Sequence, residues 1–255
     1  MPPGEASEKW DPAHLMDLLW RTRPRGTRGP RGSLSLDEVV AAGVEIADEE
    51  GLAGVSMRKV AGRLGVTVMS LYRYVPSKED LLDLMFEMAT PEPTMAADWP
   101  TDWRGRLTAY AHEMRKLLVE RSWMLDIPIS TPPMGPHNFA WMDLALGAMA
   151  DTPLTEDDKL GILILISGYA MNESRQIVSM NRAVARTGVS YEEWGEVYHR
   201  MLERATATGR FPALTRVVES EVFARSHATA EEDFDYGLSF LLDGVAALIA
   251  QREKG

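Results

Sequence analysis

The sequence contains no cysteine, which excludes a disulfide framework and any zinc site built on thiolates, and fits a reducing compartment. It has no apolar run near the roughly 20 residues that a membrane-spanning helix needs. Its opening residues, MPPGEASEKWDPAHLMDLLW, lack the basic stretch followed by an apolar one that marks a secretory leader. The expectation is a soluble cytoplasmic protein with no membrane partner. Also missing are alternating apolar and polar runs joined by hairpin turns, so the expected fold class is all-α. Bases are scarce relative to acids, 27 Lys+Arg against 38 Asp+Glu, for a formal net charge of −11. A mostly acidic body disfavours indiscriminate adhesion to polyanions.

The distribution of charge says more than its sum. Residues 21 to 88 hold ten bases and ten acids, and five of the bases (Arg21, Arg23, Arg25, Arg28 and Arg31) stand together without an acid between them. Proline and glycine break most of residues 1–33. Within them PAHLMDLLW offers Leu15, Leu18, Leu19 and Trp20 as a short amphipathic helix that docks on the body, with a loose leader the alternative. RTRPRGTRGPRG reads either as a basic arm that follows a DNA backbone or enters a minor groove, through Arg28 and Arg31 among others, or as a solvated linker.

What is present is organised around Ser56–Lys78, SMRKVAGRLGVTVMSLYRYVPSK. Ser56 is placed to cap a helix whose Val60, Ala61 and Leu64 share one face. Gly65 ends that helix at the position where a left-handed residue is needed, and Thr67 starts the next. From there Val68, Met69, Ser70, Tyr72, Arg73 and Tyr74 are expected to point outward and Leu71 and Val75 inward. Two short helices around a glycine turn are how a helix-turn-helix sets its second helix in a major groove. Upstream, Ser35-Leu36-Asp37-Glu38 is a capping box for a scaffold helix that Gly51 ends.

Gly51, Ser56, Arg58, Val60-Ala61, Leu64-Gly65-Val66, Leu71-Tyr72, Tyr74 and Ser77-Lys78 closely resemble the N-terminal DNA-binding domain of the tetracycline-repressor (TetR) family of bacterial regulators. The resemblance covers about residues 34 to 88. The leader with Trp20, the basic arm, MSLYRYV and the following DLM are similar to the branch whose C-terminal domain is like that of the tetracycline repressor itself. The resemblance implies that Arg58 reaches a guanine or a phosphate, that Val68 and Met69 face bases, and that Ser56, Ser70, Tyr72, Tyr74 and Lys78 hold phosphates. Val68 and Met69 are apolar, so they supply contact with a thymine methyl and no hydrogen-bond code, which leaves the operator sequence open.

Beyond Pro91, Pro93 and Pro100 the chain reads as successive capped helices. The expected organisation is a leader at 1–33, a helix-turn-helix domain at 34–90 and a helical effector-binding and dimerisation domain at 91–255. The family resemblance places a homodimer interface on the helices holding residues 160–170 and 236–250, where Gly161, Gly168, Gly237 and Gly244 allow close approach. It also implies a small-molecule effector. Trp103, Tyr110, Trp123, Met124, Phe139, Trp141, Met142, Met171, Asn172 and Arg175 are the candidates for its pocket, with ordinary core as the alternative. Their bulk and polarisability favour a medium-sized hydrophobic effector.

The expected function is thus a ligand-responsive transcriptional regulator, most simply a repressor, that binds palindromic double-stranded DNA as a homodimer. No cofactor and no catalytic activity are expected. The competing reading is a helical-bundle metal-binding or enzyme-like protein without sequence-specific DNA binding. It draws on Glu196-x-x-His199, yet no second such pair exists, and His112-Glu113 lacks the second histidine of a zinc-protease helix. Nor is there a glycine-rich phosphate loop or a nucleophile elbow.

Overall fold

Each helix start leaves backbone N–H groups without partners, so the capping side chains decide where helices begin. The computed structural model describes residues 12–22, 34–94, 99–128, 132–220 and 229–254, and every regular element among them is helical. The α-helices are α1 (Pro12–Leu19), α2 (Leu36–Glu50), α3 (Met57–Leu64), α4 (Val68–Leu71), α5 (Lys78–Ala89), α6 (Trp103–Glu120), α7 (Pro136–Gly147), α8 (Glu156–Thr187), α9 (Tyr191–Thr206), α10 (Pro212–Glu219) and α11 (Ala230–Arg252). Short 3-10 turns cover Leu52–Gly54 and Ser122–Asp126. Arg23, Arg25, Arg28 and Arg31 lie outside the described residues.

The capping box at Ser35 forms as expected. The Glu38 N–H donates to Ser35 Oγ (3.1 Å), and the Ser35 N–H donates to the Glu38 carboxylate (2.7 Å). That backbone donor holds the Glu38 carboxyl below its ordinary pKa. Ser190 with Glu193 and Thr229 with Glu232 repeat the box at α9 and α11. Ser56, Thr67, Ser77 and Asp102 cap α3 to α6.

The chain packs as two compact units, Met1–Leu163 and Ile164–Gly255. In the first, α2 packs on α3 and α5, and Val39, Val40 and Ile46 of α2, Val60 of α3, Leu71, Val75, and Leu81, Leu84 and Met85 of α5 are fully buried. Gly43 lets α2 come close to α5, because a Cβ there would press on the Met85 sulfur at 2.8 Å. The leader segment whose state the sequence left open is a helix: Leu15, Leu18 and Leu19 are buried and α1 packs on α5. The Trp20 indole N–H donates to the Met134 carbonyl (2.9 Å), and its ring stands edge-on to Phe139. The buried face of α5 takes in Leu81, Leu82, Leu84, Met85 and Glu87.

In the second unit the Tyr169 ring of α8 stacks on Phe234 of α11 (centroids 5.2 Å apart), and its hydroxyl donates to the Phe234 carbonyl (2.9 Å). Gly237 leaves room for that ring. Helices α9 and α10 pack together. Helix α8 runs for 32 residues, about 48 Å at about 1.5 Å per residue. No helix among the described residues is long and apolar enough to cross a membrane.

Candidate nucleic-acid interface

The turn between α3 and α4 is built from backbone up. Gly65 takes the left-handed conformation (φ 66°, ψ 27°), and the Val66 N–H then reaches back to the Ala61 carbonyl (3.0 Å). Thr67 accepts the Ser70 N–H (3.3 Å) and starts α4. Helix α4 is a single turn, and Tyr72–Tyr74 continue it as a turn in which the Val75 N–H bonds to the Leu71 carbonyl (2.9 Å). Leu71 and Val75 anchor this piece, and Thr67, Met69, Tyr72 and Arg73 are exposed.

Charge divides the basic residues of this region into two sets. Lys59 pairs with Glu50, and Arg63 pairs with Glu49 and reaches Glu45 at 3.4 Å, so both fasten α3 to α2. The Arg63 guanidinium holds the Glu49 carboxyl below its usual pKa, while Glu49 in turn raises that of Arg63. Arg58, Arg73 and Lys78 are exposed and make no ion pair with any described residue. Met69 is 75% exposed and Tyr72 is 42% exposed, so neither is committed to the core. Val68, Ser70 and Tyr74 are half-buried at the same surface, with the Ser70 hydroxyl bonded to that of Thr67 (2.9 Å). Ser56 is exposed, and its hydroxyl accepts the Lys59 N–H (3.2 Å).

Helix α5, which follows the reading turn, carries a half-buried Asp83 whose pKa is pushed up to about 6 by burial, with Asp80 and Glu79 adding to the shift. A carboxyl raised in the folded state favours folding while protonated, and that contribution is lost as pH rises from its unfolded value through about 6. Asp83→Asn is therefore expected to raise the urea midpoint at pH 8 and leave it unchanged at pH 4. Solvent screening holds the gain below about 1 kcal/mol. An equal change at both pH values would contradict this origin.

The proposed effector residues fall in two places. In the first unit the Tyr110 and Trp141 rings lie 6.0 Å apart, with Trp103 half-buried and Phe139 and Met142 partly exposed. Trp123 and Met124 are buried, and the Trp123 indole N–H donates to Asp48 of α2 (2.6 Å), which commits this side chain to holding the Ser122–Asp126 turn against the scaffold helix. In the second unit Met171 is half-buried and Asn172 and Arg175 are exposed on α8. Glu196 and His199, which motivated the metal-bundle reading, sit in i,i+4 contacts instead, Glu196 with Arg200 (3.7 Å) and His199 with Glu203 (3.5 Å).

A capped scaffold helix, a left-handed glycine corner, and a one-turn helix presenting apolar and hydroxylic side chains, with the unpaired cations Arg58, Arg73 and Lys78 on the segments around it, define a helix-turn-helix DNA-binding head. Comparison with known proteins places it. The model described as "Bacterial regulatory proteins, tetR family" matches residues 39–85, and that described as "Tetracyclin repressor-like, C-terminal domain" matches residues 96–249. The HTH-type transcriptional repressor DrrR1 of Streptomyces coeruleorubidus is 38% identical over 252 residues, covering 97% of this chain and 90% of that protein. ActR of Streptomyces coelicolor, solved in complex with actinorhodin, shares the fold with a TM-score of 0.71 at 23% identity, covering 86% of this chain and 98% of ActR. BioQ, solved with its double-stranded DNA operator, gives a TM-score of 0.53 at 18% identity, covering 84% of this chain and 99% of that one. The chain belongs to the tetracycline-repressor family and is a helix-turn-helix transcriptional regulator.

Proposed function

We propose that this regulator is a repressor that binds a palindromic operator as a homodimer and leaves it when a medium-sized hydrophobic effector binds. The observation that carries the DNA reading is the division of charge, in which Lys59 and Arg63 are taken up by the scaffold while Arg58, Arg73 and Lys78 remain for the nucleic acid. Residues 34–90 form the reading head, residues 91–255 the effector and dimerisation domain, and residues 1–33 a leader whose Arg28 and Arg31 add charge near the backbone. Val68 and Met69 face bases, Arg58 a guanine, and Ser56, Ser70, Tyr72, Tyr74 and Lys78 the phosphates. The name of the related DrrR1 supports repression.

One helix-turn-helix reads few base pairs, and two-fold dimers extend the site. Ile164 and Leu165 on α8, and Tyr236 and Phe240 on α11, are exposed, and a Cβ added at Gly168 or Gly244 would meet open space. Exposed apolar stripes of this kind mark association surfaces. The Tyr110–Trp141 pair, Trp103, Phe139 and Met142 provide an apolar wall for the effector in the first unit; the solved complexes of ActR with actinorhodin and with (S)-DNPA support a ligand-responsive fold.

Selection of binding sites by the purified protein from a random duplex pool, at low and physiological salt, tests the proposal. A two-fold palindrome that persists at higher salt supports it, and a pool that stays random overturns it. On the selected palindrome, Arg58→Ala is expected to lose about 1–3 kcal/mol of specific affinity while binding random duplex as before. Lys78→Ala is instead expected to weaken both duplexes alike and flatten the salt dependence. Competition titrations separate the two patterns, and reversed patterns would exchange the two roles.

A further inference from the structure

The far end of α5 from the reading turn is held by groups that no DNA contact requires. Glu87 stands in the last turn of α5 and is buried, a placement that a carboxylate tolerates only with strong partners. Its Oε1 accepts the His137 backbone N–H (2.5 Å), and its Oε2 accepts the Asn138 side-chain amide (2.5 Å) and backbone N–H (3.4 Å). These are first-turn donors of α7, whose own cap position is Gly135, with no side chain to offer. Glu87 thus does across space what Ser35 and Ser56 do within their own helices. A Cβ at Gly135 would overlap the carboxylate, so the missing side chain is what admits it.

The carbonyls at the end of α5, which the helix itself leaves unpaired, are taken up from the same side. His137 Nδ1 lies 2.8 Å from the Thr90 carbonyl, which can only accept, so the ring hydrogen sits on Nδ1. The Trp141 indole N–H donates to the Pro91 carbonyl (2.7 Å), and Arg121 donates to the Ala89 carbonyl (2.9 Å). Trp141 is one turn along α7 from His137 and pairs with Tyr110 in the apolar wall.

We propose that Glu87 is a positioning residue that latches α5, and with it the reading helices, to the start of α7, so that displacement of α7 releases the head from its DNA-binding position. This rests on the operator-binding reading above and names the contact through which an effector beside Trp141 reaches the DNA. The carboxylate is stabilised by the positive end of α7 and by hydrogen bonds from neutral amide donors, the His137 ring being 3.8 Å away. Glu87→Gln keeps the shape, removes the charge and turns one amide donor toward the N–H groups of α7. Combining it with Asn138→Asp exchanges the side-chain pair and restores a carboxylate at the start of α7.

The absence of cysteine allows a spin-label pair at Gly62→Cys on α3 and Gly147→Cys on α7, two sites where a Cβ meets open space. Labelled chains diluted with unlabelled ones report the distance within one chain by pulsed dipolar spectroscopy. The distribution is expected to be narrow in the parent, broadened or shifted in Glu87→Gln, and narrow again in Glu87→Gln/Asn138→Asp. Ala145→Gly, which weakens α7 at a buried site away from the latch, is expected to stay narrow. Affinity for the selected palindrome is expected to fall about tenfold in Glu87→Gln, an ordinary coupling between sites, and to recover in the double variant. A parent-like distance distribution in Glu87→Gln overturns the latch, and so does a variant that melts earlier but binds the palindrome as the parent does. If selection yields no palindrome, the operator reading fails while the distance distributions still decide the latch.

Discussion

Leu71→Ala is expected to lower the stability of the reading head by about 2–5 kcal/mol, the usual range for truncating a fully buried leucine. Leu71 is 0% exposed and is the only buried residue of the four in α4. Its carbonyl also accepts the N–H groups of Tyr74 and Val75. A loss of that size consumes much of a small domain's stability, so operator binding should disappear although the substituted residue touches no DNA. The surfaces proposed for dimerisation lie in the other unit and should survive. Urea unfolding followed by helical signal, beside sedimentation of the native variant, checks both halves. A variant that keeps the first unfolding step in place would show that α4 is held by its caps and not by this side chain.

Phe234→Ala is the counterpart in the second unit, with an expected cost of about 3–5 kcal/mol. Phe234 is fully buried, its ring stacks on Tyr169, and its carbonyl receives the Tyr169 hydroxyl. Removing the ring opens a cavity beside Gly237, the residue that lets Tyr169 lie so close to α11. Tyr236 and Phe240 flank Phe234 on α11, and Tyr169 ties that helix to the α8 that carries Ile164 and Leu165, so the variant is expected to dissociate to monomers at concentrations where the parent is dimeric. Binding to a palindrome should then weaken more than binding to a half-site. Sedimentation at several concentrations reads the first effect, and titration of the two duplexes the second; a dimer of parent-like strength would remove α11 from the proposed interface.

Much of this was legible because the decisive signals are local. The capping box at Ser35, the glycine corner at Gly65 and the inward pair Leu71 and Val75 each depend on neighbours within a few residues. Long-range pairing escaped the sequence. Trp123 read as a pocket candidate because composition cannot reveal that Asp48, 75 residues away, takes its indole N–H. Glu87 went unremarked because its partners are 50 and 51 residues distant; the available hint was a helix beginning at Gly135-Pro136 without a capping side chain. Helix α10 leaves little trace in the sequence, since Gly209 and Pro212 frame a stretch too short for its periodicity to stand out. The docking of α1 was one of two readings left open, and burial of Leu15, Leu18 and Leu19 decides it.

The exposure of Met69 bears on how such a regulator diverges. The residues that face outward from α4 are not those that hold α4 in place, so preference and foldedness reside in different side chains. After gene duplication, a copy can trade Val68, Met69 or Arg58 for other residues and acquire a new target sequence while Leu71, Val75, Gly65 and the Arg63–Glu49 tie stay unchanged. Such exchanges leave the buried anchors in place and so draw little on the stability margin that ordinarily limits successive substitutions. A lineage built on this head is free to explore operators one residue at a time.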